Sequence, residues 1–171
     1  MPPARNFSRY APPSALRFSL WIALGFLVLA LDQGSKFWFE HTFEPGSRLP
    51  VCPGFNLVLA HNSGAAFSFL ADAGGWQRWL FSGLAAAVVV TILVLLWKHN
   101  GKKLFSLALT LVMAGALGNL IDRAVYGFVI DFLDFYVGNW HWPAFNVADI
   151  AICLGAGLMV LDELLGVSRE R

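Results

Sequence analysis

The sequence predicts an all-α integral membrane protein of four transmembrane helices, with a small extracytoplasmic β-rich patch and an interfacial helix. Three observations carry this reading. The 171-residue chain is 57% hydrophobic and 15% aromatic, with only 13% charged residues and a mean hydropathy of +0.61, which places it in the membrane class. Its apolar residues fall in four runs of roughly 20, the length a helix needs to cross the hydrocarbon core. Six of its fourteen Asn and Asp residues gather in three short clusters, HNSGAAF (61–67), GNLIDR…VIDF (118–132) and FNVAD (145–149). Carboxylates beside membrane-length helices are costly, so these clusters are functional candidates by default.

The Pro-rich, basic segment 1–15 reads as a loosely ordered cytoplasmic tail. A single four-helix domain spans 16–166, with crossings at about 16–39, 76–98, 104–122 and 146–165, and a cytoplasmic C-terminal tail at 167–171. The first apolar run leads into Asp32 and Lys36 rather than a small-residue cleavage site, so it reads as a retained span and not a signal peptide. The second span has no charge between Arg78 and Lys98, and the third none between Lys103 and Asp122. Only 12 residues separate Asp149 from Asp162, too few to cross, so the fourth span must begin near Phe145 or Asn146.

Eight of the twelve cationic residues (Arg5, Arg9, Arg17, Lys98, Lys102, Lys103, Arg169, Arg171) lie in the tails or the loop between spans two and three. That asymmetry puts both termini in the cytoplasm and the segments near 40–75 and 123–145 outside. In the first outer segment, Val51, Phe55, Leu57, Val58 and Leu59 are strand formers punctuated by Pro50, Pro53 and Gly54, which gives the β-rich patch. The second is aromatic, with Phe128, Phe132, Phe135, Tyr136, Trp140 and Trp142, as the bilayer interface favours. A short interfacial helix is expected around 128–137, which would turn Asp131 and Asp134 together toward water.

The order of spans brings Asp122, Asp131, Asp134 and Asp149 to one membrane face. Each has a structural reading beside a catalytic one. Asn146 and Asp149 are spaced as a helix cap with an acid in the first turn. Asn119 and Asp122 lie one turn apart beside Arg123 and could form a polar network at a helix end. Asp32 and Lys36 have the i,i+4 spacing of an ion pair, acid first. Two carboxylates held close cannot both ionise at neutral pH, so one keeps a proton while the other activates water. Spacing alone leaves open which carboxylates make that pair.

DQGSK (32–36), HNSGAAFS (61–68), GNLIDR (118–123), VIDF (129–132) and FNVAD (145–149) resemble, in order and spacing, the motifs of bacterial lipoprotein signal peptidase, signal peptidase II. The resemblance runs from about residue 20 to 165. It implies a membrane aspartic endopeptidase of the bacterial inner membrane, without metal or cofactor. Such enzymes remove the signal peptide of prolipoproteins just before a Cys carrying diacylglycerol. The catalytic pair implied is Asp131 and Asp149, with Asp122 as a supporting residue that has a competing claim on sequence grounds. Asn62, Gly64, Asn119, Arg123 and Asn146 match residues that bind the substrate backbone or orient the pair, and Asp32 with Lys36 matches the pair that completes the site. Segments 47–70 and 126–142 match the family's outer β-patch and interfacial helix. The partners implied are diacylglyceryl prolipoproteins and membrane lipids, the enzyme acting as a monomer with its site outside.

Other classes fit less well. A transporter would carry polar residues through its span midplanes, whereas spans two and four are apolar through their centres. An intramembrane serine peptidase needs Ser and His buried in helices, and His61 and Ser63 lie in an outer segment. The net charge of +1 is uninformative about nucleic acid and no basic stripe suggests such a partner, and four scattered His residues make no metal spacing. Cys52 and Cys153 fall too far apart in the expected topology for a disulfide.

Overall fold

A computed structural model describes residues 13–64 and 74–169. Most of the N-terminal tail, the end of HNSGAAFS and the last two residues lie outside the described residues. Eight elements follow in order: α1 (Ala15–Thr42), β1 (Arg48–Cys52), β2 (Phe55–Asn62), α2 (Trp76–His99), α3 (Lys103–Val125), β3 (Val129–Val137), β4 (Trp140–His141) and α4 (Val147–Arg169). All four expected helical runs are helices. Three of them, α1, α2 and α3, are long and apolar enough to cross a membrane; α4 carries Asp149, Asp162 and Glu163 in its sequence.

α3 is the central helix, and glycine makes it so. A Cβ on Gly115 would collide with the carbonyl oxygen of Ala148, and one on Gly155 would lie 2.6 Å from Val112 Cγ2 and 2.7 Å from Ala108 O. Small residues let α3 and α4 approach at backbone distance, the device by which helices associate where no hydrophobic gradient drives them together. The contacts run antiparallel, Ala148 against Gly115 and Gly155 against Ala108 and Val112. At the opposite end, the buried Asn100 accepts from Ser14 N at 3.0 Å and donates to Ser14 O at 3.1 Å, tying the start of α1 to the α2–α3 turn.

The strands form one antiparallel sheet in the order β1-β2-β3-β4. It sits on the C-terminal end of α1, where Phe39 stacks on Phe132 with centroids 4.3 Å apart. Leu59 and Ile130 complete that small core.

Residues 129–137 form strand β3, not the interfacial helix expected near 128–137. The β-branched and aromatic run VIDFLDFYV suits a pleated surface, and both edges of the strand find partners, β2 on one side and β4 with Phe145 on the other. Asp131 and Asp134, three apart, therefore point to opposite faces, and each is only 3% exposed. They do not share a solvated face.

A bulge in β2 completes this division. Leu57 pairs with Leu133 and Ala60 with Asp131, so Val58 and Leu59 together oppose Phe132. Asn56 and Asn62, six residues apart, would share a face in a regular strand. The extra residue turns the later part of β2 over. Asn56 then lies on the Asp134 face and Asn62 on the Asp131 face.

Candidate active site

The site lies where the C-terminal ends of α1 and α3 and the N-terminal end of α4 meet β3, and it is built on a buried cation. Lys36 is 1% exposed. Its Nζ lies 2.9 Å from Asp32 Oδ2 and 2.8 Å from Asp122 Oδ2 and donates to Asn119 Oδ1 at 3.0 Å. A buried charge persists only when paired and hydrogen-bonded, and here three acceptors from two helices surround one ammonium.

The two carboxylates of that knot have no capacity to spare. Asp32 Oδ1 accepts the Ala148 backbone N–H at 2.8 Å, satisfying one of the orphan donors at the start of α4. Gly118 makes room for it, because a Cβ there would collide with Asp32 Oδ2. Asp122 Oδ1 accepts from Gln33 Nε2 at 2.9 Å, and its Oδ2 accepts from Ile130 N at 3.2 Å beside Lys36. Asp122 is fully buried, both oxygens committed. It anchors the start of β3 through the Ile130 N–H.

Asp131 and Asp149 are arranged differently. Asn146, fully buried, holds both. Its Nδ2 donates to Asp131 Oδ1 at 2.7 Å, and its Oδ1 accepts Asp149 N at 2.9 Å. Asp149 Oδ2 in turn accepts Asn146 N at 3.3 Å. This is a capping box at the start of α4, the cap that the spacing of Asn146 and Asp149 suggested. Asn119 Nδ2 donates to Asp149 Oδ1 at 2.9 Å while Asn119 Oδ1 accepts from Lys36 and, at 3.3 Å, from Asn146. Asn62 Nδ2 donates to Asp131 Oδ2 at 3.1 Å. Burial pushes the Asp131 carboxyl up to about 7, and the Asp149 charge adds to this; hydrogen bonds from Asn62 and Asn146 and the Lys36 charge oppose it.

The remaining expected residues border this pair. Gly64 N donates to Asn62 Oδ1 at 3.0 Å. Arg123 Nη2 donates to Gly64 O at 3.0 Å, and its guanidinium lies 5.3 Å from the centroid of the Phe81 ring. All ten residues singled out from sequence thus fall in one connected network. Sequence reasoning passed over Gln33, whose Nε2 also donates to Asp32 Oδ2 at 3.1 Å and Gly118 O at 3.2 Å; its place inside DQGSK was the available signal. The network uses no Cys, and Cys52 and Cys153 are both free.

The family model described as signal peptidase (SPase) II matches residues 24–165. The chain belongs to the signal peptidase II family. Relatives named lipoprotein signal peptidase include that of Cupriavidus necator, 55% identical over 98% of this chain and 94% of its own length. That of Ralstonia nicotianae is 56% identical over 87% and 86%, and that of Burkholderia pseudomallei 52% over 88% and 91%. Two solved structures of bacterial membrane enzymes, both obtained by the in meso method, share the fold. One superposes with a TM-score of 0.82 at 26% identity, covering 96% of this chain and 97% of its own. The other gives 0.76 at 27% identity, covering 90% and 96%. Signal peptidase II membership therefore rests on nearly the whole chain.

Proposed function

We propose that this signal peptidase II member is an aspartic endopeptidase whose dyad is Asp131 and Asp149, removing the signal peptide of diacylglyceryl prolipoproteins just before the lipidated Cys. The observation that carries the pairing is Asn146, a buried residue whose side-chain amide donates to the Asp131 carboxylate and whose backbone N–H donates to that of Asp149. Asp131, with its carboxyl at about 7, holds the proton near neutral pH. Asp149 stands in the first turn of α4, where the helix N-terminus favours an anion. The attacking water sits between them: Asp149 takes its proton as general base, and Asp131 protonates the scissile carbonyl oxygen. Collapse of the tetrahedral intermediate returns a proton to the leaving amine. Arg123 holds a substrate carbonyl beside the pair. The mechanism needs no metal.

We place α4 as the fourth crossing. Its antiparallel contact with α3 carries Asp162 and Glu163 toward the end where Lys102 and Lys103 stand, and Asp149 stays at the sheet end. That cationic end is the cytoplasmic one, with both tails, and the sheet and dyad lie at the extracytoplasmic face of the inner membrane. The domain is a single unit from 16 to 166 that works as a monomer, admitting its lipidated substrate laterally from the bilayer.

The test is cleavage of a diacylglyceryl prolipoprotein. Asp131→Asn and Asp149→Asn each lower kcat about 10³-fold or more while the protein stays folded in detergent. Full activity in either variant overturns the dyad, and loss of wild-type activity in chelator overturns the metal-free mechanism.

A further inference from the structure

The face of β3 turned away from the dyad carries a second polar centre. Asp134 accepts from Asn56 Nδ2 on β2 at 2.8 Å and from His141 Nδ1 on β4 at 2.8 and 3.0 Å. Arg48 Nε on β1 lies 3.5 Å away. Arg48 Nη1 is also 3.4 Å from His141 Nε2, and Tyr136 stacks on the His141 ring at 5.1 Å. One buried carboxylate thus contacts a side chain from every other strand of the sheet. Burying a carboxylate costs free energy that an apolar side chain at this position would not, so the network calls for a reason.

The path of the chain supplies one. After β3, the backbone turns at Gly138, with φ of 60°, and returns as β4. Trp142 N donates to Phe135 O at 2.8 Å, and Pro143 has no N–H to give. Phe145 then exchanges hydrogen bonds with Leu133, N to O at 2.9 and 3.1 Å in the two directions, and its carbonyl also accepts Phe132 N at 3.0 Å. The next residue is Asn146, whose side-chain amide donates to Asp131 Oδ1 and whose backbone N–H donates to Asp149 Oδ2. The returning strand is therefore held at one end by the β3–β4 ladder and Trp142 N, with His141 on Asp134 as a side-chain tie, and at the other by Phe145 beside the dyad. Between Trp142 and Phe145 the ladder is interrupted. Slippage of this return would carry Asn146 away from Asp131.

We propose that Asp134 and His141 form a positioning pair that holds the return segment 140–146 in register on β3 and so sets Asp131 against Asp149. Neither residue touches the reacting atoms. The inference rests on the dyad proposed above. The charged groups facing Asp131 are Asp149 and Lys36, with Arg123 across from it, and those facing Asp134 are His141 and Arg48.

A positioning role and a purely structural one separate in the pH profile. Loosening the return segment lets Asp131 move from Asp149 and toward water, which removes both effects that hold its proton. The alkaline limb of kcat/KM, set by that proton, then moves to lower pH. In Asp134→Ala and His141→Leu the expected result is a kcat about tenfold down with KM changed less than about twofold, and the limb displaced acid by about half a pH unit or more. His141→Asn, whose side-chain N–H replaces the ring Nδ1–H toward Asp134, recovers most of the rate and the wild-type limb. The inference is overturned if the limb stays in place and the loss tracks only the amount of folded protein, or if His141→Leu and His141→Asn behave alike. Should Asp134→Ala fail to fold, the two His141 variants decide the matter. Failure of the dyad itself would appear separately, as activity in Asp131→Asn.

Discussion

Asp131 and Asp134 sit on one strand, three residues apart and equally buried, yet the two faces of β3 treat them in opposite ways. Asp131 faces another carboxylate, Asp149, and holds its proton up to about 7, because burial and the Asp149 charge outweigh the donors from Asn62 and Asn146. Burial also pushes Asp134 up, but Asn56, His141 and Arg48 outweigh it and hold its carboxyl below the ordinary range. Each has one Asn on β2. What separates them is the bulk of protein around each, greater at Asp131, and the company beyond that amide, a second acid on one face and two bases on the other. Desolvation and the sign of the neighbours act together to set each carboxyl.

The cations on the two faces offer the strongest way to break the comparison. Lys36 is buried between Asp32, Asp122 and Asn119. Lys36→Met leaves two acids facing each other in a water-excluded knot and should cost about 3–5 kcal/mol of stability. Arg48 is half exposed, its side chain 52% accessible, and meets Asp134 at 3.5 Å, so Arg48→Met should change stability by less than about 1 kcal/mol. Thermal unfolding in detergent measures both. Equal losses would mean that the two faces are electrostatically alike.

A sharper contrast comes from removing each charge in place. The fold keeps a proton on Asp131 that the unfolded chain releases above the ordinary carboxyl pKa near 4. Stability is therefore lost as pH rises from that value to about 7, and the cost is complete above it. Asp131→Asn relieves it and should stabilise the protein by about 2 kcal/mol at pH 8, with little gain at pH 4. Asp134 has the reverse linkage: its contribution is fully present above the ordinary carboxyl pKa and is lost as pH falls through its lowered folded value. Asp134→Asn should then destabilise by about 1 kcal/mol at pH 8. Melting curves at the two pH values read both signs, and a shared sign would remove the electrostatic distinction between the faces.

How far such a contrast was visible in the sequence depends on the element. The helices were legible because membrane-length apolar runs leave little ambiguity, and the ten residues of the polar network because their motifs keep order and spacing. Asn146–Asp149 read as a cap, and a cap it is. The strand β3 was not legible. VIDFLDFYV is apolar nearly throughout, so neither a period of 3.6 nor one of 2 stands out, and its aromatics suit an interface as well as a sheet. Taking it for a helix put Asp131 and Asp134 on one face. The bulge at Val58–Leu59 left no turn residue to announce it, although it decides which Asn serves which Asp. Gln33 was hidden by its neighbours, since Asp32 and Lys36 drew the attention in DQGSK.

That bulge yields the finest distinction, between the two Asn residues of β2. Asn62→Ala removes a donor that favours the Asp131 anion. The carboxyl should rise further, and the alkaline limb of kcat/KM should move up by about half a pH unit. The direction is opposite to that expected when the return segment is loosened, because here the dyad keeps its geometry and loses only a hydrogen bond. Asn56→Ala removes the equivalent donor from Asp134, which keeps His141 and Arg48. It should cost about 1 kcal/mol of stability and leave the limb where it is. If both variants shifted the limb upward alike, the two amides would share one face of β2, and the strand would run there without its bulge.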